Sequence, residues 1–267
     1  MINWKEKILN GNPISEFPII DCHNHLGKWN AFHIPQDGTI EQMINSMDLL
    51  GIDKCFITAH ASIGPDYIYG NDMVRDAAKK FPDRVLGYVT LNPNYPEDIE
   101  NEMNRCFTLK KFCGIKLHPD CHGRPIDYET YAPAYERANK DGLPVLIHVW
   151  GAAQVAAIER LSKEYPNIRF IMGHCGADSI GMSKAIDLIN NRDNVYGDTA
   201  LSMAHQGNIE YLLSKANPKR ILFGSDMPFY SPVHTVARIA MAEVSDEIKA
   251  DVFGGNMLRL LNKTDKA

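Results

Sequence analysis

Two histidines one residue apart, His23-Asn24-His25, follow the apolar run PIID. In an extended chain, side chains two positions apart point the same way, so both imidazoles can reach one point. Imidazoles so grouped are ligands for a divalent metal. Farther along, His148 closes the run PVLIH, His174 closes IRFIMGH and Asp226 closes ILFGSD. A carboxylate at the end of a buried strand needs a compensating charge, because an unpaired buried charge is expensive. A metal supplies one; a salt bridge or helix cap is the plainer alternative. Three histidines and one carboxylate (His23, His25, His148 and Asp226) make a nitrogen and oxygen shell suited to Zn2+, with Mn2+ or Fe2+ as alternatives. His174 is either a further ligand or a neutral imidazole that polarises substrate or moves a proton.

Lys116 and His118, in GIKLH, share one face of their strand and are expected to point inward. Lys116 could bind a substrate carboxylate, bridge two metals as a carbamate, or pair with Asp198. His118 fits substrate binding and plain structure equally well. Arg124 and Lys28 follow candidate strands four and one and could meet a substrate carboxylate. Trp29, Trp150 and Tyr230 could wall a pocket against a ring, although each alone is better read as packing under a loop.

These residues need strand ends to hold them. Short apolar runs alternate with amphipathic ones eight times, with strands expected at 17–23, 54–60, 85–92, 113–118, 144–149, 168–174, 194–200 and 220–226. Helical spacing follows, as in TIEQMINSMDLLG and ETYAPAYERANKDG, with stops at Gly51, Gly142, Phe81-Pro82 and Tyr165-Pro166. Such alternation implies a parallel sheet. Eight units in 267 residues match the size of a (β/α)8 TIM barrel, read as a single domain over residues 1–267. An open doubly wound sheet would carry a glycine-rich phosphate loop after its first strand, where this chain has CHNHLG. In a barrel the active site lies at the C-terminal ends of the strands, where His23, His25, His60, Asn92, Lys116, His118, His148, His174, Asp198 and Asp226 collect.

The net charge is −5, and no basic tract occurs, which argues against nucleic-acid or anionic-membrane partners and leaves a small-molecule substrate. No apolar stretch is long enough to span a bilayer and no signal-peptide pattern opens the chain, so a cytoplasmic protein is expected, a homo-oligomer being compatible with it. The six cysteines form no CxxC pair, which makes a zinc ribbon or thioredoxin motif a poor reading.

The set His23-Asn-His25, Lys116-Leu-His118-Pro119, His148, Gly173-His174-Cys-Gly176 and Gly224-Ser-Asp226 resembles the amidohydrolase superfamily, and its short form resembles the amidohydrolase 2 group. The likeness runs from strand one to strand eight in order. It implies a (β/α)8 barrel with one metal held by His23, His25, His148 and Asp226, and His174 assisting catalysis. It also implies a hydrolase that uses metal-activated water on an amide, lactone or ester of a small cyclic or carboxylated substrate. A non-oxidative decarboxylase of an aromatic or unsaturated acid is the alternative, and an inactive metal-binding scaffold the third. Binuclear members of the wider superfamily use a carbamylated strand-four lysine and take the strand-six histidine as a ligand. Lys116 and His174 therefore keep a second metal open, with one preferred over two. TatD-type deoxyribonucleases share the opening His-x-His but carry a glutamate where Lys116 stands.

Overall fold

The structure is a computed structural model that describes residues 2–200 and 205–262. Eight parallel strands lie in sequential order: β1 (Ile20–Leu26), β2 (Lys54–Ala59), β3 (Val85–Thr90), β4 (Phe112–Leu117), β5 (Pro144–Trp150), β6 (Arg169–Gly176), β7 (Val195–Asp198) and β8 (Ile221–Leu222). Individual backbone bonds close the ring between β8 and β1. Cys22 N–H donates to Phe223 O, Asp226 N–H to His23 O and His25 N–H to Met227 O, at 2.8–2.9 Å. The fold is a (β/α)8 barrel.

Two buried clusters divide the core. One takes Ile20, Phe56, Tyr88, Leu146, Ile171, Tyr196 and Leu222 from seven strands and fills the barrel interior. The other draws on the alternate strand positions, such as Ile57, Val89, Ile115, Val145 and Ile147, and packs against helices. Two residues beyond the inward apolar layer, on the same parity, stand Thr58, Thr90, His148 and Asp198, and Lys116 holds the matching place on β4. Strand alternation thus carries the barrel from an apolar floor to a polar mouth.

Most expected elements stand within a few residues of their positions. The helix Ile40–Leu50 is capped by the Thr39 side chain and ended by Gly51, and the helix Ala132–Asp141 ends at Gly142. β1 begins later than expected, because Pro18 has no N–H to give the ladder, and it runs on through both histidines. β8 is shorter than expected, since the chain turns toward Asp226, whose φ is +62°. The last segment enters through a wide π-type turn over Asp251–Gly255 before the helix Asn256–Asn262. A Cβ on Gly254 would lie 2.1 Å from the Pro18 carbonyl oxygen, so only glycine lets this turn approach the start of β1.

Gly51 offers a stability test away from the site. Its φ is +79°, and an added Cβ would lie 2.0 Å from Ile14 O. Gly51→Ala is expected to cost about 1–3 kcal/mol of unfolding free energy, from strain alone. Denaturant melts of the two proteins measure this; equal midpoints would contradict it.

Candidate active site

His23 is the most constrained of the expected ligands. Its Nδ1 lies 2.7 Å from Asp198 Oδ2, and both side chains are wholly buried. Burial pushes the Asp198 carboxyl up to about 6, which still leaves it ionised at neutral pH. An ionised carboxylate only accepts, so His23 carries its proton on Nδ1 and turns the Nε2 lone pair inward. That nitrogen sits 2.9 Å from Lys116 Nζ and 3.9 Å from Asp226 Oδ1. His25 Nε2 is 3.2 Å from the same oxygen. One ligand atom from each of His23, His25 and Asp226 lies within 4.8 Å of the others. Two glycines of the motifs make room. A Cβ on Gly173 would stand 3.0 Å from His23 Cε1, and one on Gly224 would stand 3.0 Å from His23 Cβ.

The charges suit a cation. Burial pulls His25 down to about 4 and His23 well below its ordinary value, so both imidazoles are neutral with lone pairs to give. Burial opposes ionisation of Asp226, but the hydrogen bond to His25 and the imidazoles around it hold its carboxyl well below the usual range. Burial also lowers Lys116, to about 8. Thr58 can serve His25 with or without an ion. Its hydroxyl is 2.8 Å from His25 Nδ1 and 3.3 Å from Asn24 O. Turned to Asn24, it accepts from Nδ1–H, and His25 Nε2 then presents a lone pair to Asp226 Oδ1. Two acceptors that close need a cation between them. The donor set therefore fits a divalent metal.

His148 does not join that cluster. Its Nδ1 faces His174 Nε2 at 3.1 Å, and its Nε2 faces Asp120 Oδ2 at 3.2 Å. The His174 ring lies 5.0 Å from the His23 ring, which ties the pair to the first cluster. His174 has φ +67°, and Asp226 is left-handed as well; non-glycine residues seldom accept this, and such strain collects at functional sites. His118 lies just past β4, accepts from Cys121 N–H, and stacks on His148 at 4.0 Å between centroids. Lys116 points inward as expected, but it reaches His23 rather than Asp198.

A cavity of about 300 Å3 opens over these groups, lined by His25, His60, His118, His148, His174 and Asp226. Trp29, Phe32, Trp150, Phe229 and Tyr230 complete its wall. A larger cleft of about 770 Å3, near Ile14, Phe17, Asp53 and Arg84, contains none of the histidines. The three aromatics proposed from the sequence thus belong to the cavity, while Phe32 and Phe229 went unforeseen, being loop residues with no strand pattern to mark them. Of the expected cations, Arg124 and Lys28 do not reach it. Arg124 donates to Asn94 and lies over the Tyr128 ring, because the tight turn Pro119–His122 carries the chain away from the mouth. Lys28 is exposed and paired with Asp37. His60 lies just past the end of β2. Its Nδ1 is 2.7 Å from Gly27 O, while its Nε2 is buried with no hydrogen-bond partner among the described residues. That nitrogen is an acceptor on the cavity wall.

Asp198 gives a sharp test of the His23 geometry. Its Oδ1 accepts from His174 N–H and Ala200 N–H. In Asp198→Asn the amide oxygen stays with those donors and the NH2 faces His23 Nδ1, driving the proton to Nε2. Metal affinity is expected to fall about 10–100-fold, as for other partners that orient a ligand histidine. Competition with a chromophoric chelator measures it; unchanged affinity would remove Asp198 from this role.

A family model described as Amidohydrolase matches residues 20–263. The chain is 27% identical to 2-keto-4-carboxy-3-hexenedioate hydratase of a Sphingobium species, over 73% of this chain and 71% of that protein. Among solved structures it is similar to 2,6-dihydroxybenzoate decarboxylase complexed with 2,6-dihydroxybenzoate, with TM-score 0.76 and 16% identity, covering 92% of this chain and 99% of the other. It is also similar to 5-carboxyvanillate decarboxylase of Novosphingobium aromaticivorans, complexed with manganese and 4-hydroxy-3-methoxy-5-nitrobenzoic acid. There the TM-score is 0.74 and the identity 17%, covering 92% and 96% of the two chains. Among the described residues no helix is long and apolar enough to cross a membrane. Barrel, buried His-Asp cluster and a match over nearly the whole length agree: the chain belongs to the amidohydrolase family of metal-dependent enzymes.

Proposed function

We propose that the chain is a metal-dependent lyase that removes carbon dioxide from a small planar carboxylic acid, aromatic or conjugated. One observation carries this reading: among the described residues, five aromatic side chains, and no lysine or arginine, line the cavity beside His25, His60, His118, His148, His174 and Asp226. An aromatic-walled cavity of this kind suits a ring, and it leaves the substrate's carboxylate to be held at the His-Asp cluster. The similar proteins support the same class, since two are decarboxylases and the third is a hydratase. The hydrolase expected first thus yields to the alternative.

His23, His25 and Asp226, with His148, would hold the ion; Zn2+ and Mn2+ both suit this set. When bound, the metal supplies positive charge that polarises substrate oxygens and stabilises developing negative charge. The chain supplies the rest. The aromatic wall orients the ring and excludes water. Asp226, ionised at rest, takes a proton from solvent before the substrate covers it and gives it to the carbon that bears the carboxylate. The bond to the carboxylate carbon then breaks, its electron pair returns to the ring, and carbon dioxide leaves. His174, held by burial at about 4, is neutral and offers the substrate a hydrogen bond rather than a charge.

Hydrolysis through metal-activated water is a second reading, favoured by Asp226 being held ionised and able to accept a proton from water. One panel separates the two. Protein loaded with Mn2+ or Zn2+ is offered hydroxylated benzoates and conjugated carboxylic acids, and separately lactones, esters and amides. Carbon dioxide release from the first set supports the lyase. Turnover of the second set alone would overturn it.

A further inference from the structure

His148 is held from outside the barrel by a chain of hydrogen bonds whose direction one backbone group fixes. Trp150 N–H, at the end of β5, lies 2.7 Å from Gln154 Oε1. A backbone amide can only donate, so the Gln154 oxygen must face it and the Gln154 NH2 must face the other way. That NH2 lies 2.7 Å from Asp120 Oδ1. The other Asp120 oxygen, 3.2 Å from His148 Nε2, can only accept. His148 Nε2 therefore carries a proton, and in the neutral ring Nδ1 then carries the lone pair. Nδ1 is the nitrogen that faces His174, 3.1 Å away, toward the interior. The Trp150 amide, a donor only, fixes the orientation of the Gln154 amide and through it the donor that Asp120 Oδ1 receives.

We propose that Asp120, oriented by Gln154, is a positioning residue that pins His148 in the Nε2–H tautomer and keeps its Nδ1 lone pair turned toward the metal centre. The proposal rests on the reading of His148 as a ligand. Its structural half, the tautomer, stands apart from that reading and can be measured without metal. The arrangement mirrors Asp198 on His23: in both, a carboxylate accepts a hydrogen bond from one ring N–H so that the other nitrogen can offer its lone pair. Asp120 comes from the turn after β4 and Gln154 from the helix Ala152–Glu164 after β5, so two βα loops join to aim one ligand.

In Asp120→Asn, the Gln154 NH2 still requires an acceptor, so the new amide turns its oxygen there and its own NH2 toward His148 Nε2. The imidazole must then carry its proton on Nδ1, the wrong tautomer. Adding Gln154→Glu reverses this. The glutamate accepts from both Trp150 N–H and the amide NH2, and frees the amide oxygen to accept from His148 Nε2–H. The double variant should regain the tautomer that the single variant loses, although it carries one more change.

The experiment is nitrogen-15 NMR of labelled imidazoles in the metal-free protein, with His148 identified by loss of its signals in His148→Gln. It is paired with Mn2+ and Zn2+ affinities from chelator competition. Wild type is expected to show Nε2 protonated, Asp120→Asn to show Nδ1 protonated, and the double variant to return to Nε2. Affinity should fall about 10–100-fold in the single variant and recover to within a few-fold in the double. A wild-type His148 protonated on Nδ1, or a second change that fails to restore the tautomer, would overturn the proposal. An inverted tautomer with unchanged affinity would spare the hydrogen-bond chain, but would remove His148 from the ligands and with it the positioning role. Thermal melts check that each variant is folded.

Discussion

Asp226→Asn is expected to lower turnover by about 10²–10⁴-fold, the usual contribution of a positioned proton donor or acceptor, while the barrel stays folded. The backbone at this position is fixed independently of the side chain. Asp226 N–H donates to His23 O, and its own carbonyl accepts from Tyr230 N–H. Asparagine matches the size of aspartate and keeps one oxygen for His25, but it can neither balance a metal's charge nor carry a proton. Metal-free Asp226→Asn should remain folded but melt no higher than wild type, because the groups that hold the carboxyl below its usual range stabilise its charge in the folded state and the amide gives that up. Loss of activity far larger than the change in stability is the signature of a functional charge. Steady-state rates at saturating metal, beside a thermal melt, test both halves. Activity within tenfold of wild type would remove Asp226 from the proton path in the lyase and hydrolase readings alike.

What the sequence made legible is what alternation controls. Residues two apart on a strand share a face whatever the loops do, so His23 and His25 were bound to converge, and Lys116, His148 and Asp198 were bound to face inward above the apolar floor. The eightfold βα rhythm then fixed which strand ends are neighbours. Direction within a ring was not legible in this way. Which nitrogen of His148 points inward depends on Asp120 and Gln154, the first of them on another βα loop, and no local pattern joins these positions. Loop residues failed for the same reason. Arg124 follows strand four by number, yet the turn Pro119–His122 carries it away from the cavity, while Phe32 and Phe229 arrive from loops that look featureless in the sequence. Periodicity speaks for strand positions, and substrate specificity lies mostly in the loops that periodicity does not reach.

Stripping the metal is expected to bring turnover down to background, and one equivalent of Mn2+ or Zn2+ per chain to restore it. The case for one ion rests on how the donors are grouped. His23, His25 and Asp226 offer three atoms within 4.8 Å, and His148, whose Nδ1 faces His174, would be the fourth ligand. A second ion would have to take His148 and His174 as its own ligands and use Lys116 as a bridging carbamate. Burial lowers Lys116 to about 8, so a neutral amine is within reach of pH 7 and carbamylation is chemically open. Bicarbonate distinguishes the two arrangements, because a carbamate requires carbon dioxide and a single four-ligand site does not. Elemental analysis after metal titration should therefore give about one ion per chain, the same with or without bicarbonate, and His148→Ala should hold it far more weakly. Two ions per chain that appear only with bicarbonate would make Lys116 the bridge and His174 a ligand. The chemistry to seek would then shift toward hydrolysis, since two ions flanking one water favour attack on a carbonyl over protonation of a ring.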